Sequence, residues 1–177
     1  MEAGTWIDLG STGVTSSRSK PYNAIDANLI EINRTYLLSF GSFWNGLHQV
    51  QMENPPTTAV SGGPASQLSY NSGDKAQEAP YIFVSGSYYY LFYSKGSCCG
   101  YDRDRPARGK EYRIMVCRSA RATGGFVDKD GKACQSGGGT VVLESHDWVY
   151  GPGGQGVYQD PTYGPVSDLY RDPRWSE

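Results

Sequence analysis

Two carboxylates occupy the same place in a repeated pattern of this sequence. Glu78 stands directly before an apolar run in QEAPYIFV, and Asp26 stands before NLIEI. The first copy reads Asp26-Ala27-Asn28-Leu29-Ile30-Glu31-Ile32, a turn at Asn33-Arg34-Thr35, then Tyr36-Leu37-Leu38-Ser39-Phe40. The second reads Glu78-Ala79-Pro80-Tyr81-Ile82-Phe83-Val84, a turn at Ser85-Gly86-Ser87, then Tyr88-Tyr89-Tyr90-Leu91-Phe92, and aligns without a gap at an offset of 52 residues. Each copy is an acid, an alanine, a strand, a three-residue hairpin turn and a strand opening on tyrosine. Taken singly, either acid reads as a solvated charge at a strand edge. Either could also cap a turn by accepting backbone N–H bonds, which suits Asp better than Glu. Two in identical register favour a shared site in which a carboxylate is held to do chemistry.

The surrounding elements must bring those two positions together. With 23 Gly, 14 Tyr, 4 Trp and only 19% charged residues, the composition favours short strands and tight turns. No segment keeps apolar residues at helical spacing beyond two turns, so an all-β domain is expected. A period near 50 in such a chain suggests blades of a propeller, each a four-stranded meander. Leu47–Met52 is a predicted third strand of one unit and Tyr112–Cys117 its counterpart, with Thr140–Glu144 as an outer strand. Residues 1–22 are expected to end one blade, 23–70 and 78–144 to form two more, and 151–177 to start the next with an atypical tail. The innermost strands of a propeller line its channel, so acids opening successive inner strands converge on one mouth.

At 177 residues the chain suits a single domain. A net charge of −2 gives no electrostatic case for nucleic acid or an anionic membrane. No apolar run approaches the roughly 20 residues that span a bilayer, and MEAGTWIDLGS lacks a signal-peptide layout. The four cysteines, Cys98, Cys99, Cys117 and Cys134, allow three complete pairings and favour an oxidising compartment. A bond between the adjacent Cys98 and Cys99 would close a strained ring, so separate partners are at least as well favoured. The glycosylation triplet Asn33-Arg34-Thr35 adds a weak hint of secretion. Only His48 and His146 are present, without paired CxxC spacing, so no metal ligand is assigned and both histidines are expected on loops or strand surfaces.

Six ordered blocks, KPYNAIDANLI, LLSFGSFWNG, EAPYIF, YYYLFYSKGSCC, YRIMVCRSARATGGFVDKDGKACQSGGGT and YGPGGQGVY, resemble fungal endo-1,5-α-L-arabinanases of glycoside hydrolase family 43. The resemblance runs from about residue 4 to residue 160 and implies part of a five-bladed β-propeller: about two whole blades plus parts of two others. It further implies a secreted, inverting hydrolase that cuts α-1,5-linked arabinan and requires no cofactor, with a channel ion in the complete family fold. An acid protonates the leaving oxygen while a carboxylate base, roughly 6.5–9.5 Å away, activates water on the opposite face. By motif, Glu78 matches the general acid and Asp26 the carboxylate that tunes its pKa and orients it. A nearby like charge favours the protonated acid. Asn23, Ala24 and Ile25 lie on the approach to Asp26, and Ser42, Phe43, Trp44 and Asn45 match the stretch that meets the sugar, where an aromatic face would stack on C–H surfaces. The lesser alternative for Trp44 is a core aromatic at a blade end.

The departures shape the expectation as much. The family's base lies upstream of the NAID motif and its channel histidine in a last blade; neither has a match here, and SDLYRDPRWSE resembles nothing in the family. An incomplete arc would leave an apolar face and unpaired strand edges in water, so a weakly stable or aggregation-prone chain is expected. Two functions therefore stand side by side: an endo-arabinanase impaired by the absent base, and a non-catalytic carbohydrate-binding or structural propeller fragment. An exo-acting relative is disfavoured by GSFWNG and EAPYI.

Overall fold

The computed structural model describes residues 4–170. Ten strands and one 3-10 turn make up its regular structure, so the fold is all-β. β1 (Asn28–Ile32), β2 (Thr35–Phe40), β3 (Leu47–Met52) and β4 (Ser66–Ser69) form one antiparallel meander. β5 (Gln77–Ser85), β6 (Tyr88–Lys95), β7 (Arg113–Ser119) and β8 (Thr140–Leu143) form a second, and β9 (Gly153–Asp160) pairs with β10 (Gly164–Tyr170) in a third sheet. β5 packs against β1, β2 and β3, and β9 packs against β5, β6 and β7, so each sheet leans its first strand on the sheet before it.

The local sequence explains the hairpins, with one correction. Ile32 pairs with Thr35 and Ser85 with Tyr88, so both loops have two residues, not three. Asn33 and Arg34 carry φ of 50° and 65°, the signature of a type I′ turn whose twist matches the strands. The second hairpin closes one residue later than the gap-free repeat places it. The extra residue lies in β5, where Glu78 pairs with Ser94 but Tyr81 pairs with Phe92, a β-bulge at Ala79-Pro80. β3 has its expected bounds, β7 begins one residue later and ends two residues later than expected, and residues 4–22 contain no strand.

The core lies between the two meanders: Leu47 and Leu68 from the first meet Ile82, Leu91, Tyr93, Met115 and Cys117 from the second, with Phe126 and Cys134. A smaller cluster of Tyr22, Phe40, Val50 and Met52 covers the other face of the first sheet. His48 belongs there rather than on a surface: it is 2% exposed, its ring 5.4 Å from that of Tyr22, and Nδ1 lies 3.2 Å from the Gly46 carbonyl. Burial pushes its pKa down, so the neutral ring is favoured. His146 is exposed, 3.2 Å from Asp147.

The cysteines pair as Cys117–Cys134 and Cys98–Cys99, so the adjacent residues are bonded to each other and separate partners are ruled out. Cys117–Cys134 ties β7 to the 3-10 turn across 17 residues inside the core, whereas Cys98–Cys99 closes no chain loop. Replacing Cys117 and Cys134 together with alanine should cost about 3 kcal/mol in chemical denaturation. Replacing Cys98 and Cys99 with serine should cost under about 1 kcal/mol by the same loop-entropy reasoning. Equal losses would contradict this division.

Candidate active site

The first four residues of β5 are held from three sides. Gln77 is buried, its Nε2 donating to the Ser69 carbonyl at 2.9 Å and its Oε1 accepting from the Ser69 hydroxyl at 3.2 Å. Its own carbonyl accepts from Phe43 N at 2.9 Å, which draws the loop after β2 across onto β5. Ala79 N–H donates to Asp26 Oδ2 at 3.2 Å, and Ala79 C=O accepts from Gln155 Nε2 of β9 at 2.7 Å. Pro80 is fully buried behind them. Ala79 sits at φ 54°, a left-handed conformation that costs an alanine energy and persists only where its surroundings impose it. The bulge thus turns the Glu78 side chain out of the regular pleat.

Glu78 is half-buried, and both of its carboxyl oxygens accept a hydroxyl. Ser42 Oγ donates to Oε2 at 2.7 Å, and the Tyr112 phenol donates to Oε1 at 2.8 Å. Ser42 reaches it because the loop 41–46 doubles back as a tight turn. Phe43 and Trp44 have φ of 55° and 29°, and Gly46 N donates to the Phe43 carbonyl at 2.7 Å. Bulky residues rarely adopt positive φ, and such strain gathers at functional sites. Gly46 makes the turn feasible: at φ 83°, a Cβ there would lie 2.1 Å from the Ser69 carbonyl oxygen. The turn exposes Phe43 and Trp44 at 41% and 43%, which excludes the core reading of Trp44, while Ser42 is buried and Asn45 is half-buried with its carbonyl accepting from Gln67.

Asn23, Ala24 and Ile25 run alongside. Ile25 C=O accepts from Gly41 N at 3.0 Å, joining this segment to the same loop, and Ile25 is 52% exposed. Ser16 donates to the Asn23 side chain at 2.9 Å and accepts from Ala24 N at 2.7 Å, so Asn23 is partly engaged within the chain. Backbone and side-chain bonds thus join Ile25 to Gly41, Phe43 to Gln77, Ser42 to Glu78 and Asp26 to Ala79, so the segments that hold the residues singled out in the sequence meet at the opening of β5. Asp26 borders a cleft of about 270 Å³ with Asn28, Ala79, Tyr81 and Gln155. Tyr112, Gln155 and Ser94 were not anticipated. Ser94 reaches the site as the cross-strand partner of Glu78 on β6, Tyr112 from the residue before β7, and Gln155 by the packing of β9 on the second sheet. Among the described residues no cluster of three His, Cys, Asp or Glu could hold a metal ion.

The electrostatics concentrate on Asp26. Its pKa is raised, first by loss of water around the carboxyl, second by the charge of Glu78, against the Ala79 N–H bond that lowers it. The residue as a whole is exposed, so solvent screening keeps the effect modest. Tyr112 is raised far more strongly, mainly by burial and further by Glu78 and Asp26, so its phenol keeps its proton.

The sign of the Asp26 shift yields a stability prediction. A folded-state pKa above the ordinary 3.8 means that the fold binds this proton more tightly than the unfolded chain. That contribution is complete below pH 3.8 and is lost as pH rises through the raised value. Asp26→Asn keeps an acceptor for Ala79 N–H, tolerates positive φ and removes the charge. It should melt at or above wild type at pH 7, with the advantage vanishing near pH 3. A variant less stable at pH 7 than at pH 3, relative to wild type, would contradict the assigned cause.

The matches to known proteins agree with the all-β fold. The model of the family Glycosyl hydrolases family 43 matches residues 1–167. Arabinan endo-1,5-alpha-L-arabinosidase A of Aspergillus aculeatus is 60% identical over 167 residues, covering 94% of this chain and 51% of that protein. A probable arabinan endo-1,5-alpha-L-arabinosidase A of Emericella nidulans is 58% identical over 168 residues, covering 94% and 52%. The chain spans about half the length of the curated relatives it matches. Among solved structures, the Cellvibrio cellulosa alpha-L-arabinanase has a TM-score of 0.80 at 28% identity, covering 94% of this chain and 55% of that one. An exo-1,5-alpha-L-arabinanase from a bovine ruminal metagenomic library has a TM-score of 0.77 at 34% identity, covering 89% and 51%. By its family match and its all-β architecture, the chain belongs to glycosyl hydrolases family 43.

Proposed function

We propose that this protein is an endo-acting arabinanase chain that cleaves α-1,5-linked arabinan by inversion, with Glu78 as general acid and Asp26 as the carboxylate that orients it and tunes its proton affinity. The observation that carries this reading is the Glu78 carboxyl, clasped by Ser42 and Tyr112 and set beside the Asp26 segment at an open surface. Exposed Phe43, Trp44 and Ile25 flank it and supply the apolar faces on which sugar C–H surfaces stack. The Cellvibrio cellulosa enzyme, 27% identical with a TM-score of 0.80, has been solved complexed with arabinohexaose, which supports a linear arabinan chain as the ligand of this surface. On this reading Asn23, Ala24, Ile25, Ser42 and Asn45 border the substrate, the two four-stranded sheets are blades of a five-bladed propeller, and the third sheet begins the next. With both cysteine pairs oxidised, the protein suits a secreted life.

Inversion also demands a carboxylate base across the sugar. On this reading the base is a third carboxylate, distinct from Glu78 and Asp26, which the family carries upstream of the NAID motif. A channel ion finds no donor cluster among the described residues, and no step runs through one. Release of reducing ends from linear arabinan, compared between this chain and one as long as the relatives, tests the proposal. The longer form should be faster by about 10²–10⁴-fold, and Glu78→Gln in it should remove a similar factor. A Glu78→Gln rate near wild type would remove Glu78 from the mechanism.

A further inference from the structure

We propose that Tyr112 is a positioning residue that fixes the transferable proton of the acid on Oε2 of Glu78, the oxygen facing Ser42. This rests on the reading of Glu78 as the acid. Tyr112 is 5% exposed and its ring has no freedom to swing: a Cβ on Gly153 of β9 would lie 2.0 Å from two of its ring carbons. Its backbone N–H, 3.3 Å from the Tyr101 hydroxyl, anchors the other end. The phenol has one proton to give. The other polar group beside it, Ser94 Oγ, spends its own proton on Gln155 Oε1 at 2.9 Å and accepts from Gly154 N at 2.9 Å, so it has no proton for the phenol and, as a neutral hydroxyl, is a weaker acceptor than the Glu78 carboxylate. The phenol proton is thus directed at Glu78 Oε1, and burial with two nearby carboxylates keeps it on the phenol across the working pH range.

Ser42 is different in kind. Its hydroxyl has one proton and two lone pairs, so it donates to an ionised Glu78 and accepts from a protonated one by rotating about its C–O bond. A neutral Glu78 consequently carries its hydrogen on Oε2, because Oε1 already receives one from Tyr112. In the reaction that hydrogen passes from Oε2 to the glycosidic oxygen. The bond from the anomeric carbon to that oxygen breaks with its electron pair staying on the oxygen, while a water bonds to the carbon from the opposite face and gives its proton to the carboxylate base. Glu78 is left as a carboxylate with a hydrogen bond available to each of its oxygens. The leaving group must therefore approach from the Ser42 side, where Phe43 and Trp44 stand exposed.

The test is a 13C titration of the Glu78 carboxyl in this chain, assigned by its loss in Glu78→Gln. Tyr112 donates to Oε1 in both forms but more strongly to the ionised one, so Tyr112→Phe should raise the Glu78 midpoint by about one pH unit. Ser42 serves both forms, so Ser42→Ala should move it by less than about half as much. Should Tyr112→Phe not fold, 3-fluorotyrosine at position 112 serves instead. As a near-isosteric and stronger donor, it should lower the midpoint. A midpoint unchanged by either Tyr112 replacement, or moved as far by Ser42→Ala, overturns the proposal. The titration reads these bonds whether or not the chain turns over arabinan, so its failure is separate from a failure of Glu78→Gln to abolish hydrolysis.

Discussion

The opening of β5 is wedged between two other sheets, and the site depends on how that wedge is held. Gln77 is locked to Ser69, Ala79 is bonded by Asp26 on one side and Gln155 on the other, and Pro80 is buried beneath. A regular strand would leave Glu78 in the pleat, alternating with its neighbours. The bulge, with Ala79 forced to positive φ, removes it from that alternation and aims it at the surface. The cost of the strained alanine is offset by contacts that only the assembled sheets can make, as expected where geometry serves chemistry.

Both hydroxyls on Glu78 arrive by similar means. Ser42 is carried by a turn whose bulky residues occupy left-handed conformations, feasible because Gly46 fits against Ser69 where a side chain would not. Tyr112 is held by the close approach of Gly153. Each glycine lets two backbones, or a backbone and a ring, come nearer than a Cβ permits. The high glycine content is thus partly a requirement of packing sheet on sheet near the site, beyond its use in turns.

The two carboxylates differ in setting although they share a repeat position. Asp26 lies before its strand, open to water and accepting a backbone N–H from Ala79. Glu78 lies within its strand and receives two side-chain hydroxyls. Different surroundings on otherwise similar groups are how one site comes to hold an acid and a tuning charge. The Coulomb influence of Glu78 on Asp26 shows that the two sense one another.

Much of this was legible in the residues. Glycine, tyrosine and turn dipeptides dictate short strands and tight hairpins, and the repeat set Asp26 and Glu78 in register because local hydrophobic alternation is written in the chain itself. The type I′ loop at Asn33-Arg34 and the bulge at Ala79 were not legible, since both depend on which residues pair across strands. Nor was the bond between Cys98 and Cys99, or the burial of His48 between Tyr22 and Phe40. By itself the sequence determined the strands, their order and the two acids, because those follow from neighbours a few residues away. Only the tertiary structure decided which groups touch Glu78, because Ser42 is brought to it from the loop after β2 of the first sheet and Tyr112 from the segment before β7, across 36 and 34 residues of chain.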